Sequence, residues 1–234
     1  MKYWGNSLTK TALSLIMLLI GDKMEILEVF DLDGNHIGEQ ERKSFYAETK
    51  AEFLEMGRVS RQVKTIRLML MNSDGRIYVQ KRSKLKNENP GLYDKTIGGH
   101  VSKGHSYELT VTKECAEELG FPAAVMPNDQ FVQAVSNTDL NIIGLFKEIE
   151  VVNSYLSTRI SKDGTSFAQS YLSAFFVGYY DGPIKFSDGE SSGIEVFSMD
   201  ELEEDIKNNP QKYTKDLIYF ISTYKEYLVP IKKN

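Results

Sequence analysis

The stretch from Gly99 to Phe121, GHVSKGHSYELTVTKECAEELGF, constrains this chain more than any other. It reads as a helix from about Ser106 to Leu119, with Ser106 suited to an N-cap and Gly120 to a stop. At roughly 100° per residue, Glu114, Glu117 and Glu118 fall within about 100° of one another, while Leu109, Thr112, Cys115, Ala116 and Leu119 lie opposite. Such a helix can pack its apolar stripe on a sheet and project three carboxylates together from the other side. Like charges at these spacings repel. Two readings follow: a solvated acidic face, or a carboxylate set neutralised by a hard cation such as magnesium, which prefers oxygen ligands.

The remaining periodicity supplies a sheet. Strand-like text begins at Glu25, and Asp33-Gly34 turns a hairpin toward Ile37. Residues 41–58 suit a loose helix. Val63 to Met71 and Ile77 to Gln80 form a stronger hairpin about Asn72 to Gly75, and residues 84–90 make a loop ending in Pro90-Gly91. Leu92 to Val101 reads as a short strand broken at Gly98-Gly99. After the acidic helix, Phe131 to Val135, Asn141 to Val152 and Ser170 to Tyr179 read as strands, the last two separated by a turn at Lys162-Asp163-Gly164. Val196 to Ser198 leads into an acidic helix from Met199 to Lys207. Leu217, Ile218, Ile221, Tyr224 and Leu228 recur at helical spacing, so a closing helix is expected over 214–228. Strands with a central and a terminal helix predict a layered α+β domain.

Composition narrows the function classes. A chain of 234 residues with 41% hydrophobic and 26% charged residues can build a substantial core, which excludes wholesale disorder. The formal net charge of -5 and the lack of a basic run argue against dedicated nucleic-acid binding. They do not exclude polyphosphate ligands, because metal ions and a few local cations can supply the opposing charge. The single cysteine, Cys115, rules out an internal disulfide and makes a thiolate zinc site unsuitable. The apolar run from Ala12 to Ile20 is shorter than the roughly 20 residues that span a bilayer. It suits a terminal helix, an upstream start with Met24 as the true beginning, or a targeting segment. Cytoplasm is the default compartment. The expected organisation is an extension over 1–23, a hairpin and helix over 24–60, and the main domain over 61–234.

The Gly99–Phe121 stretch resembles the Nudix box: glycine, five residues, glutamate, seven residues, then Arg-Glu, an apolar residue, any residue, Glu-Glu, any residue, glycine and an apolar residue. Gly99, Glu114, Glu117, Glu118, Gly120 and Phe121 match in register, and Cys115 takes the first apolar place. His105 stands where the family has glutamate, and Lys113 where it has arginine. The flanks Gln80-Lys81-Arg82-Ser83 and Pro90-Gly91-Leu92-Tyr93-Asp94 resemble the branch that includes type I isopentenyl-diphosphate isomerase and its hydrolase relatives, and the likeness runs over about 24–228.

That resemblance implies an α/β/α sandwich with a mixed central sheet, an N-terminal β-hairpin extension and a C-terminal helix. It implies Mg²⁺ or Mn²⁺ held by Glu114, Glu117, Glu118 and the Gly99 carbonyl, the three glutamates carrying catalysis. It also implies a small-molecule diphosphate substrate contacted by Arg82, Lys81, Gly98 and Gly99, and it leaves a homodimer open. Isomerase chemistry is not expected, because Gly98 occupies the place of that enzyme's cysteine and only His36 precedes the box. The expected activity is hydrolysis of a diphosphate linkage in a nucleoside diphosphate derivative or related small metabolite. A weakly active or inactive ligand-binding protein on the same scaffold is the alternative, since His105 and Lys113 cannot form a carboxylate–guanidinium fork. His105 accepting a hydrogen bond from Lys113 would be the substitute. Glu190 and Glu195 are candidate bases, Arg61 and His100 further candidate contacts, and Tyr93, Tyr155 and Tyr171 candidate stacking groups.

Overall fold

In this computed structural model the described residues are 24–185 and 191–231. The apolar segment before Met24 and the candidate base Glu190 lie outside them. The chain opens with a hairpin, β1 (Ile26–Asp31) and β2 (His36–Glu41). Its turn is fixed locally: the Asp31 carboxylate accepts from the backbone N–H groups of Asp33 (3.0 Å) and Asn35 (2.8 Å), and Gly34 supplies φ +89°. Helix α1 (Arg42–Met56) follows, with the Glu41 side chain capping the Ser44 N–H. Next come β3 (Arg61–Met71), β4 (Ile77–Arg82), β5 (Tyr93–Asp94), β6 (Ile97–His100) and helix α2 (Tyr107–Glu114). The remainder is β7 (Ala123–Val125), α3 (Asn128–Asn137), β8 (Gly144–Ile160), β9 (Ser166–Tyr179), β10 (Ser191–Phe197), α4 (Met199–Asn208) and α5 (Lys215–Tyr224).

Strand β3 organises the sheet. Along one edge it runs parallel to β9 from Gln62 to Met71. Along the other it meets β1, β6 and β4 in turn, all antiparallel. The main order is β10-β4-β3-β9-β8-β7, so the sheet is mixed and the N-terminal hairpin is part of it. Alternation along β3 divides the core in two. Ile66, Leu68 and Leu70 join Val111, Cys115 and Leu119 beneath α2. Val63, Met69 and Met71 join Phe175, Leu217 and Phe220 beneath α5. Each fully buried side chain of this size stabilises by about 1.5–3 kcal/mol. The α/β/α layering expected from the resemblance is thus formed by two separate apolar layers.

Three expectations change. Phe131 to Val135 belongs to helix α3, not to a strand. Phe131 and Val135 are buried four residues apart while Val132 is 77% exposed, a helical spacing that β-compatible residues disguise. Gly98 and Gly99 do not break a strand but lie inside β6; the interruption falls at Lys95-Thr96, where the Thr96 hydroxyl accepts from the Leu70 N–H at 2.9 Å. On the acidic helix, Leu109 is 49% exposed, and Val111 takes the buried place expected for it.

Candidate active site

Helix α2 does not continue as a uniform α-helix through the glutamates. Ser106 caps it through the Leu109 N–H (3.1 Å), but Cys115–Leu119 forms a π-helical turn, closed at Gly120 by its N–H to the Cys115 carbonyl, with Gly120 at φ +73°. A π turn holds more residues than an α turn, so each advances by less than the α-helical angle. Glu118 therefore stays above Glu114, while Glu117 lags behind and turns outward. The side chains follow this geometry: Glu114 and Glu118 share a hydrogen bond, whereas Glu117 meets Lys113 at 3.6 Å on the exposed side. Lys113 thus reaches Glu117 and not His105, which alters the expected substitute pairing.

Gly99 brings this pair against the sheet. It lies opposite Ile66 and faces α2. A Cβ there would stand 2.8 Å from Glu114 Oε1, so only glycine lets the carboxylate rest on the strand. Burial lifts the Glu114 carboxyl above its usual range. Glu117 and Glu25 push the same way, against Lys113 and the hydrogen bond with Glu118. Oxygen donors crowded at a raised carboxyl are what a hard divalent ion would relieve, so the residues fit Mg²⁺ or Mn²⁺. Among the described residues no three such side chains are yet gathered into a metal-holding cluster. Cys115 is fully buried, and burial raises its thiol pKa well above the ordinary value, which leaves it a packing residue.

The opposite face of the same two glycines opens onto a cavity of about 340 Å³. Gly98 lies opposite Arg67, and a Cβ on it would meet the end of Lys95, 2.5 Å from Cε and 3.0 Å from Nζ. The floor is a chain of alternating charge. Arg67 contacts Asp216 at 3.2 Å, Asp216 contacts Lys95 at 3.5 Å, Lys95 contacts Asp94 at 3.2 Å, and Asp94 contacts Arg82 at 3.1 Å. Ser157 (2.8 Å) and Tyr155 (3.1 Å) donate to Asp216, and Thr214 donates to Asp94 (2.7 Å). Burial opposes ionisation of Asp216, but Arg67, Lys95 and Arg159 outweigh it and hold the carboxyl far below its usual range. Asp94 is lowered in the same way by Lys95 and Arg82. His100, edge-on to Tyr46 at 5.1 Å, is held well below its ordinary pKa by burial and then by Arg42, Arg159, Arg67 and Lys95, so it is neutral.

The expected contact residues separate accordingly. Arg82 lines the cavity and donates to the Glu88 and Asn89 carbonyls, which ties down the 83–92 loop. Lys81 faces away from the cavity, 3.1 Å from the Tyr93 hydroxyl. Glu195 accepts from Tyr93 at that same outer location. Arg61 pairs with Glu48 at 2.6 Å. Tyr155 and Tyr171 flank the Arg67 guanidinium at 4.2 and 4.9 Å and so brace a cation instead of offering an open stacking surface. Sequence reasoning missed Arg67, Lys95, Asp94, Asp216 and Arg159. The one available signal was a lone arginine, Arg67, inside the apolar run from Ile66 to Met71.

Residues 61–217, more than half of the chain, match the NUDIX domain, and the chain belongs to that family. An uncharacterized Nudix hydrolase from Nostoc sp. PCC 7120 is 26% identical over 56% of this chain and 72% of its own length. The isopentenyl-diphosphate Delta-isomerase of Serratia proteamaculans is 22% identical over 86% of this chain and 90% of that protein. Other curated Nudix hydrolases align over only about half of their length. Among solved structures, a Deinococcus radiodurans protein, DR0079, superposes with a TM-score of 0.57 at 19% identity, covering 85% of this chain and 98% of that one, which supports the fold. With its hydrolase relatives, family membership places the chain among the pyrophosphohydrolases. The isomerase likeness fits the branch suggested by the flanking motifs, although Gly98 leaves no cysteine at the isomerase position.

Among the described residues, no helix is long and apolar enough to cross a membrane.

Proposed function

We propose that the chain hydrolyses a diphosphate linkage in a nucleoside diphosphate derivative or related small metabolite, with Mg²⁺ or Mn²⁺ held by Glu114, Glu118, Glu117 and the Gly99 carbonyl. The observation that carries this reading is the seat of Glu114 on Gly99, which sets a carboxylate pair beside strand backbone, across the strand from a cationic cavity. A divalent ion held there would supply charge against the departing phosphate and would acidify water.

The chain's own residues do the rest. Glu114 and Glu118 are held together by the π turn and present oxygen donors to one side. Glu117 would join them by giving up its exposed contact with Lys113, a pair worth only about 0.2–0.5 kcal/mol. At Gly98 and Gly99 the missing side chains make room for Lys95 and Glu114, the groups that a bound phosphate and its ion would meet. Arg82, fixed by Asp94 and the loop carbonyls, orients it from the cavity side. Neutral His100 offers a hydrogen-bonding nitrogen without adding charge.

The test is phosphate release from a panel of nucleotide sugars, dinucleotides, nucleoside diphosphates and small diphosphate esters with Mg²⁺ or Mn²⁺. Turnover abolished by Glu118→Gln is expected. No turnover across the panel together with no Mn²⁺ binding would overturn the reading. A ligand-binding module without catalysis is favoured instead if ligands raise the melting temperature equally in wild type and Glu118→Gln. The outward contact of Glu117 with Lys113 is what motivates that second reading.

A further inference from the structure

Among the described residues, four buried side-chain polar atoms have no hydrogen-bond partner: Tyr46 Oη, Arg159 Nε and both amide atoms of Gln169. All four gather in one place, the contact between helix α1 and the end of the β8–β9 hairpin. Gln169 lies on β9 directly opposite Ser157, a cavity residue, so its side chain is on the cavity face of the sheet. Phe167 and Tyr171, two residues to either side, share that face. Tyr46 of α1 is beside Tyr171 and Arg159, and Lys50, one turn further along α1, sits over the Phe167 ring at 4.7 Å. Gln169, 1% exposed, therefore lies beneath the turn of α1 between them. Arg159 uses its two terminal nitrogens on Glu88 and on the Tyr171 hydroxyl (2.6 Å), which leaves Nε over. Buried polar groups nearly always have partners, because the hydrogen bonds to water lost on burial are otherwise not replaced. Their concentration under one helix marks a contact that is poorly matched when shut.

Helix α1 is also weakly held. In its 15 residues only Phe45 and Thr49 are buried, and Leu54 and Met56 are exposed. Helix α5, with 10 residues, buries Leu217, Phe220, Ile221 and Tyr224 in the same core layer. Much of what otherwise fastens α1 is polar, including Arg42 to Glu25 at 2.7 Å and Lys50 to the Ser161 hydroxyl at 2.7 Å. An element with few buried apolar groups opens at lower free energy than the core around it. Three residues of this helix, Arg42, Lys43 and Tyr46, form a wall of the cavity beyond Gly98. We propose that α1 is a lid on that cavity. It lifts from β8 and β9 while the sheet and α5 stay folded, water reaches Tyr46, Arg159 and Gln169, and the cavity opens on its α1 side. This opening is a property of the chain alone. Only its role in admitting substrate rests on the hydrolysis proposed above.

Hydrogen exchange read by mass spectrometry on the full, metal-free chain tests the lid. Amides of α1 should exchange at least about tenfold faster than those of α5 after correction for intrinsic rates. Tyr46→Phe and Gln169→Met each remove unpartnered polar atoms and keep the shape, so each should slow exchange in α1 by several fold and leave α5 unchanged. Lys50→Met, which cuts the tie to Ser161, should speed α1 exchange by a similar factor. Exchange of α1 and α5 at one rate in wild type would overturn the proposal. So would faster α1 exchange in Tyr46→Phe and Gln169→Met, because internal water would then be satisfying these groups and holding the helix down. Entry of substrate is tested by tying α1 to the end of β8 with a bismaleimidoethane bridge in Lys50→Cys/Ser161→Cys. Turnover of the best substrate in the panel above should fall at least about tenfold while Mn²⁺ affinity stays within about twofold. Undiminished turnover in the bridged protein would overturn the lid's role in entry. No turnover before bridging would overturn the hydrolase reading alone, and the exchange rates would still decide the lid.

Discussion

The two faces of the β6 glycine pair make opposite use of charge. Toward α2, Glu114 lies beside Glu118 with Glu117 nearby, and the carboxyl of Glu114 is raised by burial, with Lys113 offsetting only part of it. Toward α5, acids and bases alternate from Arg67 to Arg82, and both buried carboxyls are lowered. The same physics acts on both sides: burial penalises a bare charge, and only a close opposite charge offsets it. On the reading proposed above, an outside cation would complete the acidic face. The cavity floor is complete, and it holds the strand from beneath. A two-residue glycine window separates them.

The sharpest way to break this contrast is at the balanced side. Asp216→Asn removes the central anion between Arg67 and Lys95 and leaves two buried cations facing each other. A loss of about 3–5 kcal/mol in urea unfolding is expected, as for other buried pairs stripped of one partner. Unfolding within 1 kcal/mol of wild type would show that the alternating chain contributes little.

The glycines give the next contrast. Gly99→Ala drives a methyl into Glu114, and Mn²⁺ affinity should fall by about tenfold or more, the scale at which ligand-orienting changes act. Gly98→Ala meets the end of Lys95 and no glutamate, so its effect on metal affinity should be several-fold smaller. Equal losses in isothermal titration would remove the distinction between the faces.

Acidity separates the faces in sign. Glu114 has a raised folded pKa, so in the metal-free protein its contribution to stability is present at low pH and is lost as pH rises through that value. Asp94 and Asp216 have lowered values, so their contribution is present above the unfolded carboxylate range of about 3.9 and lost as pH falls through the folded values. Saturating Mg²⁺ should raise the melting temperature more at pH 8 than at pH 5, because the ion competes with the proton at Glu114. A pH-independent increment would contradict this assignment. The smallest effect is expected at Lys113→Ala, a change of about 0.2–0.5 kcal/mol in stability, since the partners are 41% and 60% exposed.

Most of the sheet was legible because β3, β4, β8 and β9 carry long β-compatible runs bounded by Asx-Gly turns. Helix α3 was not, since Phe131, Val132 and Val135 are strand formers whose helical period shows only once burial is known. The acidic site was legible in its residues but not in its shape. The register identified Glu114, Glu117 and Glu118, yet no local propensity announced the π turn that pairs two of them and turns the third outward. The cavity was illegible for a different reason. Arg67 and Asp216 are 149 residues apart, and only the parallel β3–β9 pairing and the docking of α5 bring them together. An individual Lys or Asp in a loop carries no mark of such a partner.

On the proposed reading, Glu114 and Glu118, seated on Gly99, hold the ion that drives hydrolysis. Electron paramagnetic resonance of Mn²⁺ titrated into wild type, Glu118→Gln and Gly99→Ala tests it most directly. A stoichiometric bound Mn²⁺ signal is expected in wild type, with affinity weaker by about tenfold or more in both variants. Undiminished Mn²⁺ binding in Glu118→Gln and Gly99→Ala would contradict it.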